Sequence, residues 1–324
     1  MRRTVAWLDE ALKPIALAEL RRGFRARLFS VALTLQLAAC VLIALVGWSD
    51  RPRDGRALFV AFYTCAAVVC FWIIPWNTYR SVMRERDEST LALVQLTGMS
   101  AGRLLLGKIQ SQLLQALVFG SAAAPFLLFS FLLQGISLPS VLLVLGGSAL
   151  LQAFLTVVGA ASATFYADRF RRNASNIGNV LFLGWITSVA VGLATAAIES
   201  GASDAGLLWP LGGAAWVMVS YGAIALAAAV GRLTFATDNL VYWTRLALLF
   251  HLCGSLAIAA ALFVAFPGPF VGLVLGMAGL LHAYVAGLFL VGDRDGMSRR
   301  VRRNPPRLRL GGLLLPGARR GLWT

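Results

Sequence analysis

The chain has 324 residues, of which 59% are hydrophobic and only 13% are charged, and its formal net charge is +15. Because soluble globular domains carry about 25% charged residues, this composition excludes an ordinary soluble protein and indicates several membrane-spanning segments. Strong positive charge is also typical of nucleic-acid-binding proteins, so the positions of the basic residues decide between the two explanations.

The first 27 residues predict a basic amphipathic helix. They hold seven Lys or Arg residues. Leu17, Leu20, Phe24 and Leu28 recur at spacings of three and four, which places them on one helical face. A helix of this kind just before a span is expected to lie in the membrane interface. The alternative is a solvated positive flank that only sets the orientation of the first span.

Eight apolar runs follow, and we expect an all-α polytopic membrane protein with about eight transmembrane helices. About 20 residues at a rise of about 1.5 Å per residue cross a bilayer core of about 30 Å. The transmembrane domain covers residues 28–291. The proposed spans are 28–48, 57–76, 110–133, 141–167, 177–198, 207–230, 246–266 and 270–291.

The basic residues fix the predicted orientation. With the N-terminus inside, 26 of the 29 Lys and Arg residues fall on the cytoplasmic side and three on the outside, in 49–56. This asymmetry satisfies the positive-inside rule, places both termini in the cytoplasm and removes the need for a nucleic-acid partner. The tail 292–324 holds nine arginines and three prolines, and we expect it to be disordered and attracted to anionic lipid.

The loop predicted at 77–109 is the only long polar and amphipathic segment between spans. It mixes charges of both signs between Arg80 and Glu88, and then becomes amphipathic. Ser89 or Thr90 is a candidate cap for one short helix, and Ser100 for a second that continues into the third span. Their apolar face is too small for a core of its own, so we expect it to pack on the spans, the lipid surface or another protein.

The sequence of this loop, RERDESTLALVQLTGMSAGRLLLGKI, resembles the cytoplasmic loop of ABC-2-type transporter permeases. That family has an acidic stretch, a Gly-Thr-Leu, a Leu-Leu-Thr-Pro-Leu-Ser-like turn and a Gly-Lys pair before the next span. This chain departs from the pattern at Ser89, where Gly is usual, and at Gly98, where Pro is usual. The segment PIALAELRRGFRAR also resembles the amphipathic connecting helix that precedes the family's first span.

The resemblance implies that the loop contains the coupling helix, which contacts a cytoplasmic ABC ATPase subunit. It assigns seven residues to this partner-binding region: Glu85, Glu88, Thr90, Leu91, Leu96, Ser100 and Lys108. It further implies a homodimer, or a heterodimer with a similar permease, with ATP and Mg bound by the partner ATPase. Family members commonly have six spans, so the hairpin at 246–291 is the candidate extra pair.

We expect no catalytic residue, cofactor or metal on this chain itself. Residues 102–108 read GRLLLGK, which resembles the start of a P-loop, but Ile109 stands where the magnesium-binding Ser or Thr is required. His251, His282 and Cys253 all lie in spans and are too few for a typical metal site. A hydrogen-bonded histidine between helices is the favoured interpretation, and a polar pathway is a further hypothesis.

The resemblance thus implies the permease subunit of an ATP-driven exporter in the cell membrane, which in a bacterium is the inner membrane. The spans as proposed contain no Asp, Glu, Lys or Arg, which argues against a carrier with its own proton path. The alternative is a membrane scaffold or assembly factor with the same topology but no ATPase partner. The sequence does not define the substrate.

Overall fold

The computed structural model describes most of the chain from residue 14 to residue 284. The described residues are 14–49, 55–87, 100–133, 135–165, 169–200, 205–233, 242–265 and short pieces between 268 and 284. The remaining residues, which include 1–13, the loop centre 88–99 and the tail from 285 onward, lie outside the description.

The described chain is built from α-helices, with no strand among the residues described. The helices are α1 (Pro14–Arg25), α2 (Arg27–Ser49), α3 (Gly55–Ala67), α4 (Ile74–Asp87), α5 (Ala101–Leu132), α6 (Leu138–Phe165), α7 (Arg169–Ser200), α8 (Ala205–Leu233) and α9 (Tyr242–Ala265). A short π-helical segment, Val68–Ile73, lies between α3 and α4, and these three pieces form one continuous helix.

Seven helices of the described chain are long and apolar enough to cross a membrane. They correspond to the first seven predicted spans, and the prediction of an all-α polytopic membrane protein is confirmed. The eighth predicted span, 270–291, lies mostly outside the described residues. The seven segments are Arg27–Gly47, Gly55–Arg86, Ala101–Leu132, Leu138–Phe165, Asn173–Ser200, Leu211–Leu233 and Tyr242–Val264.

The helices are longer than the apolar runs that predicted them, and the loop is correspondingly shorter. The second span was predicted to end at residue 76, but its helix continues to Asp87. The third span was predicted to begin at 110, with a helix capped by Ser100 leading into it, and α5 begins at Ala101 as that cap predicts. A hydropathy profile ends a predicted span where the first charged residues appear. The helix itself continues as long as its backbone hydrogen bonds do. Lys108 and Glu85 therefore lie within long helices rather than in a solvated loop.

The π-helical segment widens the second spanning helix just before Pro75. The N–H of Ile74 donates to the carbonyl of Val69, five residues earlier. Proline lacks an N–H and its ring collides with the carbonyl four residues before it, so a wider turn at this position removes the collision. Across the interface, a Cβ at Gly159 of α6 would lie 2.6 Å from the carbonyl oxygen of Pro75, so the absence of a side chain permits this close approach.

The chain divides into two compact units, Met1–Met218 and Val219–Thr324. The core of the first unit joins aromatic residues of α3 and the π-helical segment to aliphatic residues of α6 and α7. Its large, fully buried members are Phe59, Phe62, Phe71, Leu155, Leu183 and Ile198. Within the second unit, Ile224, Ala229 and Leu248 are buried.

Candidate functional site

The start of α5 has the cap that its sequence predicts. Ser100 has an extended backbone (φ −71°, ψ 143°), and its side-chain oxygen accepts a hydrogen bond from the N–H of Arg103 at 3.4 Å. A serine in this position satisfies one of the free N–H groups of the first turn. Residues 102–108, which resemble the start of a P-loop, lie inside this helix, and the N–H groups from Leu104 onward belong to helical hydrogen bonding.

Lys108 is the centre of an ion cluster that joins three helices. Its Nζ lies 2.8 Å from Glu85 Oε1 on α4 and 3.1 Å from Glu19 Oε1 on α1. It also donates to the hydroxyl oxygen of Ser81 on α4 at 2.9 Å. The Lys108 side chain is 3% exposed, and those of Glu19 and Glu85 are 16% and 22% exposed. We call these four residues the Lys108 cluster.

The Lys108 cluster provides hydrogen-bond and ion-pair partners for the buried ammonium group of Lys108. An ammonium group has three N–H donors, and Glu85, Glu19 and Ser81 supply three acceptors for them. A buried charge is tolerated when it is paired and hydrogen-bonded in this way. Removing the ammonium group would take away the partner that Glu19 and Glu85 share, and loss of one member of a buried ion pair costs about 3–5 kcal/mol. The cluster therefore holds α1, α4 and α5 in one arrangement.

Close packing of α1 on α5 keeps Glu19 beside Lys108. Ala16 is fully buried, and Gly23 faces Gln115 so closely that a Cβ at Gly23 would lie 2.2 Å from Gln115 Nε2. Phe24 and Leu28, which the sequence placed on the same apolar face as Leu17 and Leu20, are 39% and 51% exposed, as side chains directed at the membrane interface would be. The face of α1 that packs inward is the one bearing Ala16, Glu19 and Gly23.

The last turns of α4 are also fixed to α6 and α7. One guanidinium nitrogen of Arg86 donates to the carbonyls of Ala163 at 3.2 Å and Thr164 at 3.1 Å. These carbonyls belong to the last turn of α6, where the helix itself provides no donors. The hydroxyl of Tyr79 donates to the side-chain carbonyl of Asn176 on α7. The end of α4 is thus connected to four other helices.

The structure describes three of the seven predicted partner-binding residues. Glu85 and Lys108 meet in the Lys108 cluster, and Ser100 caps α5. Because the Lys108 ammonium group is buried, it does not face outward in this arrangement. The other four residues, Glu88, Thr90, Leu91 and Leu96, lie outside the described residues. A role of the seven in partner binding stays a prediction.

Sequence analysis missed Glu19 and Ser81. Glu19 is 89 residues from Lys108, and no local spacing connects the two. The available signal was that Glu19 is the only acidic residue in the otherwise basic helix Pro14–Arg25. That signal favours a cationic partner for Glu19 but does not identify Lys108.

A separate polar cluster lies in the second unit. His251 Nδ1 is 2.7 Å from Ser220 Oγ, and His251 Nε2 is 3.4 Å from Ser255 Oγ. The ring of His282 lies 4.6 Å from that of His251, centre to centre. Since Ser220 is on α8 and His251 is on α9, the predicted hydrogen-bonded histidine between helices is confirmed.

The groups around His251 are mainly hydroxyls. Hydroxyl groups engage both ring nitrogens of His251. Cys253 is exposed on the same helix, and no group of three or more His, Cys, Asp or Glu residues comes together within the described parts of the chain. The hypothesis that the histidines face a polar pathway stays a hypothesis.

No protein-family model matches the chain, and no curated protein and no solved structure is significantly similar to it.

Proposed function

We propose that the chain is the membrane subunit of an ATP-driven ABC-2-type transporter that acts as an exporter. One observation supports this proposal best: the Lys108 cluster ties α1, α4 and α5 together directly beside the segment 88–99, whose sequence resembles the family's coupling loop. The connecting helix and both helices that flank the loop meet at one buried ammonium group.

The cluster explains how a force on the segment 88–99 would reach the spans. Glu85 lies three residues before this segment, and Lys108 lies nine residues after it. Because separating them would deprive the buried Lys108 ammonium group of its nearest carboxylate, α4 and α5 would move together rather than separate. The continuous helix Gly55–Arg86 would carry the displacement across the membrane domain, and α1 would move with it.

Within this proposal, the seven predicted residues have two roles. Glu88, Thr90, Leu91 and Leu96 would form the surface that an ATPase contacts. Glu85 and Lys108 would position that surface, and Ser100 would fix where α5 begins. ATP and Mg would be bound by the ATPase, while this chain, as a homodimer or with a similar permease, would provide the pathway for the substrate.

The proposal is tested by copurification from native membranes after mild crosslinking. The tagged full chain is compared with Leu91→Asp and with a matched control, Leu310→Asp, which places the same change in the basic tail. A soluble P-loop ATPase, identified by mass spectrometry, is expected with the parent chain and the control, and is expected to be lost from Leu91→Asp. Gel filtration and thermal unfolding establish that all three are folded.

Two results would contradict the proposal. If no P-loop ATPase is recovered with the parent chain, the chain acts without one, as a membrane scaffold or assembly factor would. If the ATPase is recovered equally with Leu91→Asp and Leu310→Asp, it binds a surface other than the loop.

A further inference from the structure

A pocket of about 660 Å³ opens between α3 and α7, at the opposite end of the continuous helix Gly55–Arg86 from Glu85. Its volume is in the range of about 300–1,000 Å³ that is typical of small-molecule sites. The residues that line it are Arg56, Ala57, Val60, Ala61, Thr195 and Glu199. The sequence places this end of the helix on the outside of the membrane.

Small side chains create the pocket beside a well-packed interface. Phe59 and Phe62 of α3 belong to the same buried core cluster as Ala194 and Ala197 of α7. On the neighbouring face of α3, Ala57 and Ala61 are one turn apart and leave space. The Thr195 hydroxyl donates to the carbonyl of Val191 at 2.9 Å, within its own helix. The pocket walls are therefore largely apolar.

The two charged residues of the pocket have opposite signs. Arg56 Nε donates to the carbonyl oxygen of Gly135 at 2.6 Å, which anchors the guanidinium to the turn between α5 and α6. Gly135 has φ +89°, a conformation that favours glycine. Glu199 is exposed, and in the described part of the chain its carboxylate makes no hydrogen bond or ion pair. A carboxylate and an anchored guanidinium that line the same pocket are complementary to a ligand that carries both charges.

We propose that this pocket binds the headgroup of a zwitterionic amphiphile. Its amine pairs with Glu199, its phosphate or carboxylate pairs with Arg56, and its acyl chain lies along Ala57, Val60 and Ala61. Guanidinium groups bind phosphates and carboxylates through paired hydrogen bonds, which suits Arg56 to the anionic group. The apolar walls favour a lipid over a water-soluble zwitterion. This site does not depend on the proposed coupling to an ATPase.

Native mass spectrometry of the full chain in detergent tests the proposal. The probes are phosphatidylethanolamine, phosphatidylglycerol and free phosphoethanolamine, each titrated separately. Phosphatidylethanolamine is expected to bind at one saturable site and more tightly than the other two. Arg56→Gln and Glu199→Gln are each expected to weaken that binding about tenfold, as loss of a charge-assisted hydrogen bond does. Arg103→Gln, at an exposed position of α5, is the matched control and is expected to bind as the parent does.

Two variants of Glu199 separate a loss of lipid binding from a loss of folding. Arg56→Gln also removes the bond to Gly135, so Glu199→Gln, which loses no internal partner, decides the outcome if Arg56→Gln unfolds. Glu199→Lys is expected to shift preference from phosphatidylethanolamine to phosphatidylglycerol. Equal binding of the two lipids by the parent chain, or unchanged phosphatidylethanolamine binding by Glu199→Gln, would overturn the proposal. Free phosphoethanolamine binding as tightly as the lipid would overturn the assignment of an amphiphile.

Discussion

The carbonyl oxygen of Pro75 lies 2.6 Å from the position that a Cβ on Gly159 would occupy. Pro75 follows the π-helical segment of the second spanning helix, so this helix approaches α6 closely just after its wider turn. Any side chain at Gly159 has to push backbone against backbone, which is a costly adjustment in a close-packed interior.

We predict that Gly159→Ala destabilises the protein by about 1–3 kcal/mol, the usual cost of overpacking. The matched control is Gly146→Ala in the same helix, because a Cβ at Gly146 meets nothing within 4 Å. Thermal unfolding of the purified protein in detergent measures both variants. Equal unfolding temperatures for Gly159→Ala and Gly146→Ala would show that α6 does not approach Pro75 this closely.

The Lys108 cluster predicts an unequal response to neutralising its members. Lys108→Met removes the partner that Glu19 and Glu85 share and is expected to cost about 3–5 kcal/mol. Glu19→Gln leaves the contact between Lys108 and Glu85 in place, so we expect a smaller loss of about 1 kcal/mol. Thermal unfolding, with Arg103→Met as an exposed control on α5, checks this order. A larger loss of stability for Glu19→Gln than for Lys108→Met would contradict the central position of Lys108 in the cluster.

The histidine pair is expected to contribute less stability than the Lys108 cluster. His251→Phe keeps an aromatic ring against Tyr221 and His282 but loses the hydrogen bond to Ser220. Hydrogen bonds between membrane helices contribute about 1 kcal/mol, so we expect a loss of that size. Thermal unfolding compares His251→Phe directly with Lys108→Met. A loss of stability that equals or exceeds that of Lys108→Met would contradict the expected order, because the histidine pair would then contribute at least as much stability as the Lys108 cluster.

The predicted orientation is tested by cysteine labelling in a variant that lacks the four natural cysteines. Arg53→Cys is expected to react with a membrane-impermeant maleimide in intact cells, whereas Leu310→Cys is expected to react only after the membrane is opened. The physical reason is the distribution of basic residues, which favours cytoplasmic retention of the loops that carry them. Labelling of Leu310→Cys in intact cells would reverse the topology and place the loop 88–99 outside.

The helices and the Ser100 cap could be predicted from the sequence because both depend on local patterns. A run of about 20 apolar residues indicates a span, and a serine before a helix indicates a cap. The continuation of α4 to Asp87 could not be predicted, because charged residues end an apolar run without ending a helix. The end of a helix therefore differs from the end of its apolar run wherever the helix extends beyond the bilayer core.

The Lys108 cluster shows why the candidate site was only partly predictable. The resemblance selected Glu85 and Lys108, but nothing in the sequence showed that their side chains meet, or that Glu19 completes the arrangement. Such contacts depend on the packing of α1 against α5 through Gly23 and Gln115, which are 92 residues apart. Tertiary packing brings the three helices together, and local sequence patterns carry no information about it.

The most direct test of the proposed function is photo-crosslinking from the loop in native membranes. A photoreactive amino acid is placed at Leu91 or Leu96, with Leu310 as the control position, and captured proteins are identified by mass spectrometry. We predict that a P-loop ATPase is captured from Leu91 and Leu96 and not from Leu310. Capture of lipid alone from both loop positions, with no ATPase, would contradict the assignment of this loop as a coupling surface.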